Sequence, residues 1–115
     1  MNENTELAIS PDVLYGIVQL ALEDVEGVRP IQPPARVGEF LGGRRSRGIA
    51  VERDGAEVWV ELTLAVAYGK VIPKVAVAAQ RAVREAVSSM TGLEVRSVSV
   101  AVEDVELTEE DLARG

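Results

Sequence analysis

Arg36, Arg44, Arg45 and Arg47 fall close together in the chain, three of them inside the stretch FLGGRRSRG, residues 40–48. Arginine's planar guanidinium presents a rigid fork of donors that suits phosphates and carboxylates. The cluster therefore points either to anion recognition (RNA, phosphate, a lipid headgroup, an acidic partner, or the chain's own acidic end) or to solvated charges that keep the entrance of a hairpin soluble. Gly38 and Gly43 precede Arg44-Arg45-Ser46 with the spacing of a phosphate loop. That motif needs a buried strand before it, a lysine after the last glycine and a helix to follow. Here a proline-rich stretch precedes and a strand pattern follows, so a nucleotide loop is not expected. Phe40 is the one aromatic nearby on which a base would stack.

Covalent and acid–base chemistry has little to work with. The 115 residues include no cysteine and no histidine, which removes the thiol nucleophile, the zinc thiolate site and the commonest general base. The serines have no histidine to activate them, and Lys70 and Lys74 are the only lysines. The acids Glu103, Asp104, Glu106, Glu109, Glu110 and Asp111 match no calcium loop and enclose no turn glycine. No enzyme, no metal and no cofactor are expected. The formal charge of −7 opposes wholesale nucleic-acid binding, yet residues 28–48 hold five arginines against Glu39. That segment is +4 and the rest of the chain −11.

These groups have to be positioned by a small aliphatic scaffold. Hydrophobic residues make up 47% of the chain and aromatics only 3%, so the core is Val, Leu, Ile and Ala. The length suits one domain, taken as residues 1–105, with an arginine-rich loop over 28–48 and an acidic tail over 106–115. No apolar run approaches the roughly 20 residues that span a bilayer, and the N-terminal residues do not read as a signal peptide. A cytoplasmic location is expected.

Glu6 to Ile9 alternates like a short opening strand. Ser10-Pro11-Asp12 reads as a helix start, with Leu14, Ile17, Val18, Ala21 and Val25 at helical spacing and Gly27 as the stop. Residues 28–48, rich in Pro and Gly, read as a connection without regular structure. Asp54-Gly55 predicts a two-residue hairpin turn that sets Val51 opposite Val58 and Ile49 opposite Val60. The second arm alternates through Tyr68, and its other face carries Trp59. A long helix follows from Val71 to Thr91, ended by Gly92. The last strand, about Leu93 to Val105, changes apolar phase near Arg96-Ser97, which predicts a bulge. The order β-α-β-β-α-β implies an α+β two-layer sandwich, two helices on one face of a small antiparallel or mixed sheet. Trp59, on the face away from the helices, is then the candidate self-association residue.

Several stretches together resemble the alkaline shock protein family, also known for envelope stress response and general stress proteins. They are EDVEGV (23–28), GIAVERDG (48–55), VWVELTLAVAYG (58–69), IPKVAVAAQRAV (72–83), MTGLEV (90–95) and VSVAVEDV (98–105). The resemblance covers about residues 7–105 and rests on their order and spacing. It implies a bacterial, non-enzymatic, cytoplasmic protein, some relatives of which reach the envelope through a small membrane-anchored protein partner or are linked to control of fatty-acid synthesis; with Trp59 or an exposed strand edge as the contact, the favoured expectation is a self-associating scaffold or adaptor, a homo-oligomer. It carries no catalytic motif. With neither His nor Cys, the chain has no evident sensor of mild alkalinity. A small RNA- or phosphate-binding module using Arg44, Arg45 and Arg47 stands as the alternative.

Overall fold

The computed structural model describes residues 8–31, 44–46, 48–107 and 111–112. Its elements in chain order are α1 (Pro11–Glu23), β1 (Val28–Pro30), β2 (Arg44–Ser46), β3 (Ile49–Asp54), β4 (Glu57–Ala67), α2 (Ile72–Thr91) and β5 (Glu94–Glu106). Ser10 caps α1 as its position predicts. Its backbone is extended and its Oγ accepts from the Val13 N–H at 3.3 Å, while Pro11 takes the first turn, where a missing N–H is harmless. The helix closes at Asp24, earlier than its apolar spacing implies, and Gly27 at φ +87° turns the chain into β1.

Three expectations need correction. Ala8 and Ile9 do not join the sheet: Ile9 packs on the core edge, and its carbonyl accepts from Arg53 Nη1 at 3.2 Å. Glu6 and Leu7 lie outside the described residues. The connection over 28–48 is not wholly irregular, because β1 and β2 occupy its two ends and satisfy their backbone groups in the sheet. The hairpin is offset by two residues: Asp54 pairs with Glu57, Val51 with Val60 and Ile49 with Leu62. Gly55, at φ +62°, therefore sits first of the two central turn residues, with Ala56 second. An offset of two leaves every side chain on its expected face.

β4 organises the sheet. One of its edges pairs antiparallel with β3 over Glu57 to Leu62 and then with β1 over Leu64 to Val66, so β1 and β3 lie end to end. The handover is at Thr63, whose N–H donates to the Gly48 carbonyl at 2.8 Å and whose carbonyl accepts from the Ile31 N–H at 2.9 Å. Gly48 has φ +81°, and a Cβ there would stand 2.2 Å from the Ile31 carbonyl oxygen. Only glycine fits that junction. The other edge of β4 pairs parallel with β5, which α2 makes reachable by crossing over the sheet. The expected bulge is present at Arg96, between the pairs Val58 with Val95 and Trp59 with Ser97, and a second falls at Glu103.

One face of this mixed five-stranded sheet is covered. Ile49 and Val51 of β3, Val58, Val60, Leu62 and Leu64 of β4, and Val95 and Val98 of β5 meet Leu14, Ile17, Val18, Ala21 and Leu22 of α1 and Ala79, Val83 and Val87 of α2. Fully burying such a side chain contributes about 1.5–3 kcal/mol, so this layer is the main source of stability. The fold is the α+β two-layer sandwich that the patterning implied, with the sheet of the mixed kind. On α2 the buried stripe is narrower than its apolar spacing. Ile72 and Met90 stay exposed at the two ends, while Gln80 and Arg84 reach β5 and donate to the carbonyls of Val98, at 2.9 Å, and Val95, at 2.5 Å.

Candidate interaction surface

Among the described residues both helices lie on one side of the sheet, and strict alternation decides what stands on the other. From β4 it receives Glu57, Trp59, Glu61, Thr63, Ala65 and Ala67, because the intervening residues are committed to the core. Trp59 is half-buried. Its cross-strand neighbours are Glu52 on β3 and Ser97 on β5, and its same-face neighbours along β4 are Glu57 and Glu61. The next row pairs Asp54 with Glu57 and Glu57 with Glu94. Five carboxylates thus surround one indole. The bulge residue Arg96 answers part of that charge, with Nη1 3.2 Å from Glu94 Oε2 and 3.7 Å from Glu57 Oε2.

Further along the same face, Arg29 of β1 pairs in register with Ala65, and Glu106 of β5 with Ala67. The two side chains join across the small alanines in a bidentate ion pair, Arg29 Nε to Glu106 Oε1 at 3.2 Å and Nη2 to Glu106 Oε2. Ala65 is 1% exposed beneath it. The hydrogen bond, and then the nearby positive charge, hold the Glu106 carboxyl below its usual pKa, and the same contacts raise Arg29. One arginine of the basic segment is therefore spent on the chain's own acidic end. The partners are 77 positions apart, and no sequence signal could have joined them.

The arginine cluster itself is divided. Arg36 and Arg47 lie outside the described residues. The backbone of β2 pairs Arg44 with Val51 and Arg45 with Ala50, so consecutive arginine positions belong to opposite faces of the sheet.

The remaining surface offers a shallow groove between the end of α1 and α2, lined by Asp24, Glu26, Lys70, Arg81, Ala82 and Glu85. Lys70 Nζ stands 3.6 Å from Glu26 Oε2 and offsets the acids gathered at the negative end of α1. Among the described residues no buried side chain is polar, no three acids converge at metal-ligating distance, and no helix is long and apolar enough to cross a membrane.

An apolar core beneath an open, charged, aromatic-centred sheet face is the framework on which the comparisons fall. A model of the alkaline shock protein 23 family, described by a cell envelope-related function, matches residues 1–107. The chain belongs to this family. Among similar proteins are the uncharacterized protein Spy1535 of Streptococcus pyogenes serotype M6, 29% identical over 102 residues, which are 87% of this chain and 78% of the relative. The uncharacterized protein YqhY of Bacillus subtilis is 25% identical over 107 residues, 88% of this chain and 79% of the relative. Among solved structures, a zinc form of MamM CTD superposes with a TM-score of 0.51 at 19% identity, covering 83% of this chain and 86% of that one. A copper form superposes at 0.50 and 20% identity, covering 83% and 98%. That likeness is one of fold alone.

Proposed function

We propose that this alkaline shock family member is a non-enzymatic scaffold or adaptor in the cytoplasm, which self-associates through the open sheet face centred on Trp59. The oligomer would present several copies of its remaining surface to a protein partner, a small membrane-anchored protein being the expected link to the envelope. The observation that carries the reading is the face of β4 turned away from the helices, on which a half-buried Trp59 is the one large aromatic group among the described residues. Tryptophan at the centre of a polar surface is the residue type most enriched where protein surfaces bind each other. The family's envelope-related description supports a role in assembly, and a chain without His or Cys offers few groups for catalysis.

Sedimentation velocity of Trp59→Ser and Trp59→Lys tests it. Both variants are expected to show a lower oligomer mass than the parent, with far-ultraviolet circular dichroism unchanged, since the side chain lies outside the core. An unchanged mass would remove this face from the assembly.

A further inference from the structure

β4 pairs with β5 on one side, and among the described residues no strand pairs with β5 on the other. Alternation divides its backbone into groups turned towards β4 and groups turned outward. The Glu94 N–H donates to the Ala56 carbonyl at 2.8 Å, and the Glu106 carbonyl accepts from the Tyr68 N–H at 2.8 Å, so Glu94 and Glu106 point inward. Val95 and Val98 point outward, and their carbonyls are already taken by Arg84 and Gln80 of α2. Val105 also points outward, and its N–H donates to Asp104 Oδ1 at 2.9 Å. Between these satisfied positions stand Val100 and Val102. With the bulges at Arg96 and Glu103 absorbing the phase changes, alternation turns the N–H and C=O of both residues outward.

Proteins blunt an edge strand with a charge, a proline or a bulge. The stretch Ser97–Val102 has none of these: it runs regularly between the two bulges and carries no charge. Apolar surface flanks it. Gln80 reaches Val98 and Arg84 reaches Val95, so α2 runs antiparallel to β5 along this edge. Val77, one turn before Gln80, therefore lies beside the free groups, and it is 49% exposed.

We infer that a second copy of this chain covers the edge, the two β5 strands pairing antiparallel across a two-fold axis at Ala101. The free groups decide both the partner and the register. Because Val100 and Val102 lie symmetrically about Ala101, an antiparallel copy sets Val100 opposite Val102 and Val102 opposite Val100, and each pair exchanges both backbone bonds. The contact is isologous, with the same surface on both copies. Moving the axis to Val100 calls on the carbonyl that Gln80 already holds, and moving it to Val102 runs the ladder into the bulge at Glu103. Charge agrees with the Ala101 register. Glu103, Asp104 and Glu106 of one copy fall beside Ser99, Val98 and Arg96 of the other, so no carboxylate meets a carboxylate. This contact uses a different surface from the Trp59 face and does not depend on it.

Ala101→Lys and Ala101→Glu test the axis, and Val100→Pro tests the backbone bonds. Ala101 is exposed, so its substitutions leave the core untouched, and Val100→Pro removes an N–H that points away from β4. Circular dichroism establishes that each is folded; if Val100→Pro is not, the Ala101 variants carry the test. In sedimentation velocity and native mass spectrometry each folded variant alone is expected to raise the dissociation constant of the pair by at least about tenfold. An equimolar mixture of the two Ala101 variants is expected to pair again, because opposite charges then face each other across the axis. Amide hydrogen exchange gives a second readout: the N–H groups of Val100 and Val102 are expected to exchange slowly at high protein concentration and fast on dilution. Folded Ala101 variants that assemble like the parent, or a mixture that stays monomeric, overturn the edge contact. So do amides that exchange fast at every concentration, which leaves the edge open, or slowly at every concentration, which means that the chain covers its own edge. If Trp59→Ser loses mass while the Ala101 variants do not, the Trp59 reading stands and this one fails; the reverse result does the opposite. A parent that is monomeric at every concentration sinks both.

Discussion

At the residue scale, two positions are decided by contacts that adjacent sequence does not announce. Gly48 reads only as a flexible residue before a strand, yet it is where β1 and β3 meet along β4, with a left-handed φ and no room for a Cβ. Gly48→Ala is expected to cost at least about 2 kcal/mol, combining backbone strain with displacement of the Ile31 carbonyl. Urea unfolding of parent and variant measures it. Arg29 and Glu106 each belong, by sequence, to a block of like charge, and only the fold brings them together. Because the folded carboxyl of Glu106 lies below its usual value, its stabilising contribution is complete above the ordinary glutamate range, near pH 4.3. It is lost as pH falls through the folded pKa. Glu106→Gln should therefore lower Tm at neutral pH, and the gap from the parent should narrow as the pH is taken down through the folded pKa. The pair is exposed, so the shift will be small.

At the element scale, β4 and α2 carry the structure. Leu64 is fully buried at the centre of the sheet, and Leu64→Ala should cost about 2–5 kcal/mol, read from chemical denaturation. Arg84 looks like a solvated helix residue, but it donates to the Val95 carbonyl. With Gln80 on Val98, it occupies outward carbonyls at the edge of β5 and ties α2 to that strand. Arg84→Ala is expected to cost about 1 kcal/mol in the same assay, against a few tenths for an ordinary surface change. The alternation of β4, the helical stripe of α1 and the phase slip at Arg96 were all legible, because each reflects a local period of 2 or 3.6 residues. The two-residue hairpin offset was not: both registers keep the same faces, and the packing of Ile49 on Leu62 and Val51 on Val60 distinguishes them.

At the scale of the molecule, the separation of charge matters more than the total. A chain of net −7 carries +4 over residues 28–48, while its open sheet face gathers carboxylates around Trp59. Pairing at the uncharged edge Ser97–Val102 joins neither region, so raising salt from about 0.1 M to about 1 M, which shortens the screening length from about 10 Å to about 3 Å, should leave it intact. Light scattering across that range gives the check: a contact between the two charged regions would disperse.

The sequence by itself determined the fold class, the two helices, the β3–β4 hairpin arm, the bulge at Arg96 and the family, through short-range periods, caps and segment order. It also determined that Trp59 faces away from the core, since one parity of β4 is wholly apolar. Only the tertiary structure decided that β5 runs parallel to β4, that β1 and β3 share one edge with Gly48 between them, and that Arg29 belongs to Glu106. Those outcomes depend on which distant backbones lie side by side, and a strand's own pattern encodes its buried face but not the identity of its neighbour.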